Sequence, residues 1–202
     1  MIEMKHVKKA FGSHVLFEDL NVTIESGDFV VFSGPSGCGK TTLLNMIGAL
    51  EPFEEGEILV DGIDIRRKKN QLSYFSEKVG FLFQNFALME EKTVRENLEI
   101  IKEKNRTKIS LEDALNCVKL MDKVDQFVYT LSGGEQQRVA MARLLLKKCD
   151  VILADEPTGS LDQKNAATVV SILKILNKMG KTIILVTHDE KIKKQGKRII
   201  EL

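Results

Sequence analysis

The chain has 202 residues, enough for one domain built round a single substantial core. Hydrophobic residues make up 43% and charged residues 29%, a balance that excludes intrinsic disorder and a collagen-like repeat. A formal net charge of +1 speaks against a dedicated nucleic-acid binder, which carries a basic excess on one face. No apolar run approaches the roughly 18 residues that mark a membrane span, and Met1–Lys5 does not read as a signal peptide. Cys38, Cys117 and Cys149 are spaced neither as a disulfide framework nor as a zinc site and read as free thiols. The basic runs Arg66–Lys69 and Lys191–Arg198 read as solvated faces.

In chain order, loosely alternating apolar residues over Glu3–Ala10 and Val15–Ile24 predict paired strands, an N-terminal β-layer. Phe29–Phe32 is a short continuous apolar run, the pattern of a strand buried on both faces, and a helix should start near Lys40. Glu57–Val60 and Ile63–Ile65 predict a hairpin turning on Asp61-Gly62. Thr93-Val94-Arg95-Glu96 and Ser110-Leu111-Glu112-Asp113 both resemble capping-box openings, so about 93–129 reads as an all-helical subdomain inserted in the core. Alternation of strand and helix then resumes, with a strand at Val151–Ala154, a helix through Ala166–Met179 and a strand at Thr182–Thr187. Such alternation implies a mostly parallel sheet.

Gly34-Pro35-Ser36-Gly37-Cys38-Gly39-Lys40-Thr41 fits G-x-x-x-x-G-K-[ST] between a predicted strand and a predicted helix. Glycines let the backbone wind closely round a phosphate and aim its N–H groups inward, and the helix N-terminus adds partial positive charge. Lys40 would reach the β- and γ-phosphates, the Thr41 hydroxyl would ligate Mg²⁺, and Thr42 would add a phosphate contact. Cys38 lies at a variable position of the loop and reads as a small inert residue.

Val151–Ala154 ends in Asp155-Glu156, which places two carboxylates at the carboxyl edge of a parallel sheet, where ligands collect. Asp155 would hold Mg²⁺, and Glu156 would orient or deprotonate the water that attacks the γ-phosphate. Thr182–Thr187 brings His188 to the same edge, in reach of a γ-phosphate.

Leu131-Ser132-Gly133-Gly134-Glu135 followed by Gln136-Gln137-Arg138 resembles the LSGGQ signature of ABC ATPases, with glutamate in the last place. Ser132 and Glu135 equally form the S-x-x-E of a capping box on an ordinary helix. The order of the remaining elements extends the resemblance over the whole chain. Gln84 matches the Q-loop glutamine, Gly159-Ser160-Leu161-Asp162 the D-loop and His188 the switch histidine, while Phe11 stands where the family stacks an aromatic on adenine. Residues 79–89 and 154–162 look most like the branch of macrolide efflux, lipoprotein release and antimicrobial-peptide export.

The resemblance implies a P-loop NTPase α/β core with an antiparallel β-layer and an inserted helical subdomain, all within one ATPase domain over 1–202. It implies ATP and Mg²⁺, with Thr41, Gln84 and Asp155 at the metal and Lys40, Gln84, Glu156 and His188 in catalysis. ATP would be sandwiched in a head-to-tail pair of chains, the phosphate loop of one facing Ser132–Glu135 of the other, with Asp162 at the shared site. The expected partners are a second copy and a separate transmembrane permease contacted near Gln84–Met89, and no nucleic acid. The chain would sit at the cytoplasmic face of a membrane, powering export; an ATP-gated signalling or scaffold module is the alternative.

Overall fold

Residues 1–202 are all described by the computed structural model, and they run through two sheets of opposite character. In the antiparallel sheet, β1 (Ile2–Phe11) and β2 (His14–Ile24) form a hairpin. On its other edge β1 pairs with β4 (Glu55–Val60), which turns into β5 (Ile63–Asp64). That turn falls on Asp61-Gly62, both at positive φ (49° and 74°), as a two-residue type I′ hairpin requires.

The second sheet is wholly parallel, in the order β6 (Val79–Leu82), β7 (Val151–Asp155), β8 (Thr182–Val186), β3 (Phe29–Ser33) and β9 (Arg198–Glu201). Its central strands are continuous apolar runs because both faces are covered, and side-chain alternation sorts them between two cores. Phe29, Val31, Ile152, Ala154, Ile183 and Leu185 belong to one core. Val30, Phe32, Val151, Leu153, Ile184 and Val186 belong to the other, with α1 (Lys40–Ile47) and the inner face of the antiparallel sheet. The first core is closed by α3 (Val94–Glu99), α4 (Leu111–Cys117), α5 (Gly133–Leu146) and α6 (Gln163–Lys178).

Several elements differ from the expectation. Strands β6 and β9 were not predicted: Val79–Leu82 is only four residues long and contains Gly80, and Arg198–Glu201 is a largely exposed edge with no alternation to read. Lys68–Ser73 forms a short helix, α2, that passes into a π-helical turn at Tyr74–Lys78. Between 93 and 129 the helices are short, α3 and α4 being separated and followed by single 3₁₀ turns. Thr93 makes both bonds of its capping box with Glu96. At Ser110 the N3 residue is Asp113, one methylene shorter, so the hydroxyl accepts from the Asp113 N–H while no return bond reaches the Ser110 backbone.

Candidate active site

The phosphate loop leaves β3 and enters α1 at Lys40. Gly34, Gly37 and Gly39 all have positive φ (150°, 84° and 97°), so the winding is written into the backbone. At Gly39, the residue preceding α1, a Cβ would stand 2.7 Å from both Leu16 and Phe17, so the β1–β2 hairpin closes against the loop. Lys40 is buried, and its ammonium donates to the loop's own carbonyls, Gly34 O at 2.9 Å and Pro35 O at 2.7 Å, with Cys38 Sγ at 3.6 Å. The cation is thereby held inside the ring of the loop.

Strands β7 and β8 bring the acids and the histidine to the same edge. The Thr41 hydroxyl donates to Asp155 Oδ1 at 3.0 Å, joining two residues predicted to meet the metal. Burial pushes the Asp155 carboxyl up from its ordinary value, opposed by the Thr41 bond and the nearby Lys40 charge. Burial likewise pushes Glu156 up, opposed by the His188 backbone N–H, which Oε2 accepts at 3.4 Å. Glu156 has a left-handed backbone (φ 42°), an uncommon conformation for a residue with a side chain, and its own N–H donates to Val186 O.

Glu156 Oε1 is buried without a hydrogen-bond partner; His188 Nε2 lies 3.4 Å away but is not aligned to bond it. A buried carboxylate oxygen with an open lone pair is suited to accept a proton. His188 is exposed, and Asp189 caps α7 (Glu190–Lys193) behind it by accepting from Lys191 N and Ile192 N.

These groups share a cleft of about 360 Å³ lined by Phe11, Ser36, Gly37, Gly39, Lys40, Thr41, Thr42, Glu156 and His188, with His14, Leu16 and Val186 completing the wall. Gln84 opens on an adjoining depression with Asp155 and Ser160. Thr41, Asp155 and Gln84 offer hard oxygen donors and no thiolate or imidazole. Such a sparse set suits Mg²⁺, which retains water and takes further oxygens from phosphates.

Ser132–Glu135 and Asp162 do not line the cleft. Ser132 caps α5 in a complete capping box, and Glu135 is committed to it: Oε2 accepts from the Ser132 N–H and hydroxyl, while Oε1 pairs with Lys123. That pairing holds the Glu135 carboxyl down at about 2. The expectation that Glu135 contacts nucleotide finds its carboxylate already engaged within the chain. The Glu135 and Gln136 amides are taken up by Ser132, and those of Gly133 and Gly134 remain available to an anion.

Three residues of α5, two of them in the Gln136-Gln137-Arg138 run that follows the signature, make contacts that no motif announced. Gln137 donates to Pro157 O at 2.6 Å, behind Glu156. Arg138 bonds Asn165 Oδ1, and Asn165 in turn donates from its backbone and side chain to Asp162, 2.8 Å in each case. Arg143 donates to Ala87 O at 2.5 Å and Phe86 O at 3.0 Å, two consecutive residues at positive φ (61° and 47° for Phe86 and Ala87). One helix thus ties its own N-terminus to the segment after β7, to the start of α6 and to the turn after Gln84.

A family model described as ABC transporter matches residues 17–159. The chain belongs to the ABC transporter family. Along its whole length it is 41% identical to the uncharacterized ABC transporter ATP-binding protein MJ1508 of Methanocaldococcus jannaschii, spanning 95% of that protein. It is 39% identical to the macrolide export ATP-binding/permease protein MacB of Campylobacter jejuni, of which it spans 33%. Among solved structures it matches the dimeric bacterial ABC transporter cassette MJ0796 with a TM-score of 0.88 and 38% identity, covering 100% of this chain and 94% of that one. A post-hydrolysis state of the same cassette, bound to ADP and Pi, matches with a TM-score of 0.85. The fold is that of an ABC ATPase cassette, and this ABC protein binds and hydrolyses ATP as a transporter subunit. No helix of the chain is long and apolar enough to cross a membrane.

Proposed function

We propose that this ABC ATPase powers export of a peptide, lipoprotein or drug-like substrate through a separate membrane permease, working at the cytoplasmic face as a head-to-tail pair of identical chains. One observation carries the pairing: the cleft holds Lys40, Thr41, Glu156 and His188, while the open N-terminus of α5 at Ser132–Gly134 lies outside it. Two half-sites of this kind complete each other only between chains. The dimeric form of the similar MJ0796 cassette supports the same reading. Export is suggested by the likeness to MacB, and a separate permease by MJ1508, a relative of nearly the same length named for ATP binding alone.

In the proposed cycle Phe11 stacks on the adenine and the loop from Gly34 to Thr42 wraps the phosphates. Lys40 leaves the carbonyls of Gly34 and Pro35 to meet phosphate oxygens. Thr41, Asp155 and Gln84 would hold Mg²⁺, which neutralises charge on the phosphates when bound. Glu156 Oε1 takes a proton from the attacking water, and His188, beside it, steadies the γ-phosphate. Ser132 and the first amides of α5 in the second chain close on the same phosphate, with Asp162 beside them. Closure reaches the permease through the turn at Gln84–Met89.

The test is reconstitution with the cognate permease in vesicles. ATP-dependent substrate flux that is lost in Lys40→Ala supports the motor. Association with a membrane protein and ATP hydrolysis without any flux would favour a signalling or scaffold module instead.

A further inference from the structure

Phe11 has no hydroxyl, so it can offer a nucleobase only its ring face, and the ring's orientation decides whether it can stack. Half of its surface is exposed (50%), beside the phosphate loop. The ammonium of Lys9 lies over the ring, 4.4 Å from its centroid. Lys9 is itself only 3% exposed, a rare condition for a lysine. Its Nζ is anchored by the Glu51 carboxylate at 2.7 Å, the Pro52 carbonyl at 2.8 Å and the Glu54 carboxylate at 3.6 Å. Glu54 also accepts the Ala10 N–H at 3.0 Å, so one carboxylate holds both the cation and the backbone next to Phe11. Ion pairing alone would satisfy Lys9 through Glu51 and Glu54; its place against the ring is the additional feature.

We propose that Lys9 is a positioning residue for base recognition, its buried ammonium pinning one face of Phe11 so that the other is presented to a purine. The inference rests on the reading of Phe11 as the stacking residue. The attraction is that of a cation for the negative face of an aromatic ring, strengthened where water is excluded. It acts on the base and leaves the phosphate contacts of the loop untouched. Affinity for a nucleotide should therefore respond to Lys9, while affinity for the bare triphosphate moiety should not.

The experiment compares the full chain with Lys9→Met, Phe11→Ala and the double variant, measuring ATPase kinetics and calorimetric binding of ATP and inorganic tripolyphosphate. For Lys9→Met the KM for ATP rises about threefold to tenfold with kcat within about twofold. Tripolyphosphate binding stays unchanged, which also reports an intact loop, and Lys9→Met adds nothing in the Phe11→Ala background. Should Lys9→Met destabilise the fold, Lys9→Gln removes the charge while keeping a hydrogen bond to Pro52, with the same expected split. An unchanged KM, or equal losses for ATP and tripolyphosphate, overturns the role of Lys9. If Phe11→Ala itself leaves ATP affinity intact, the stacking reading falls and the inference with it; a loss there with none at Lys9 removes the inference alone.

Discussion

Arg143→Leu isolates the link between α5 and the turn after Gln84. The guanidinium makes two bonds, at 2.5 and 3.0 Å, to the carbonyls of Ala87 and Phe86. Hydrogen bonds to a charged group contribute about 1.5–3 kcal/mol each. Leucine keeps part of the apolar stem, and the freed turn can relax left-handed strain, worth about 1–3 kcal/mol per residue. Phe86 stays packed against the core, so only the strain at Ala87, about 2 kcal/mol, is released against about 4 kcal/mol for the two bonds, leaving an expected destabilisation of about 2 kcal/mol. For a domain of this size that lowers Tm by about 4–8 °C. Urea denaturation of the isolated chain should show a lower midpoint with an unchanged slope, and amide exchange should quicken over 84–89. A midpoint shift equivalent to less than about 0.5 kcal/mol would refute the view that Arg143 holds this turn against its strain.

Lys40→Ala should weaken nucleotide binding by at least about tenfold, since it removes a full charge from the phosphates; normal ATP affinity by calorimetry would remove Lys40 from the site. Gly134→Ala would set a Cβ 2.7 Å from Asn165 Nδ2, displacing the residue that joins Arg138 to Asp162. It should cost about 1–3 kcal/mol in urea denaturation, and a stabilised variant would show that the close approach is dispensable. Burial raises Glu156 above the ordinary glutamate value of 4.5, so a base that must be ionised is lost as pH falls through a point above 4.5. Single-turnover hydrolysis should show an acid limb there, and a limb at or below 4.5 would contradict the desolvated base.

Which residues share the cleft was legible in the sequence because their placing is set by local backbone demands. The glycines of the phosphate loop, the apolar runs of β3, β7 and β8, and the polar residues immediately after them are neighbours in the chain as well as in space. The work of α5 was not legible. Gln137, Arg138 and Arg143 act across 20, 27 and 56 positions of sequence, and nothing in a polar helix face announces which distant carbonyl it will meet. Lys9 was invisible for a related reason, since alternation in β1 says which side it faces but not that Glu51 and Glu54 will hold it under Phe11. β6 and β9 were missed because neither is long enough to show a period. For Ser132 and Glu135 the structure realises the local capping reading in full, so the Glu135 carboxylate is engaged within the chain while the Gly133 and Gly134 amides stay open.

The most direct measurement is on Glu156→Gln. With ATP present the variant should run as a stable dimer in light scattering, since every binding group remains, while hydrolysis falls by a factor on the order of 100 to 10,000, the usual contribution of a general base. Hydrolysis at the parent rate, or a variant that stays monomeric with saturating ATP, would contradict a two-chain site in which Glu156 takes the proton from the attacking water.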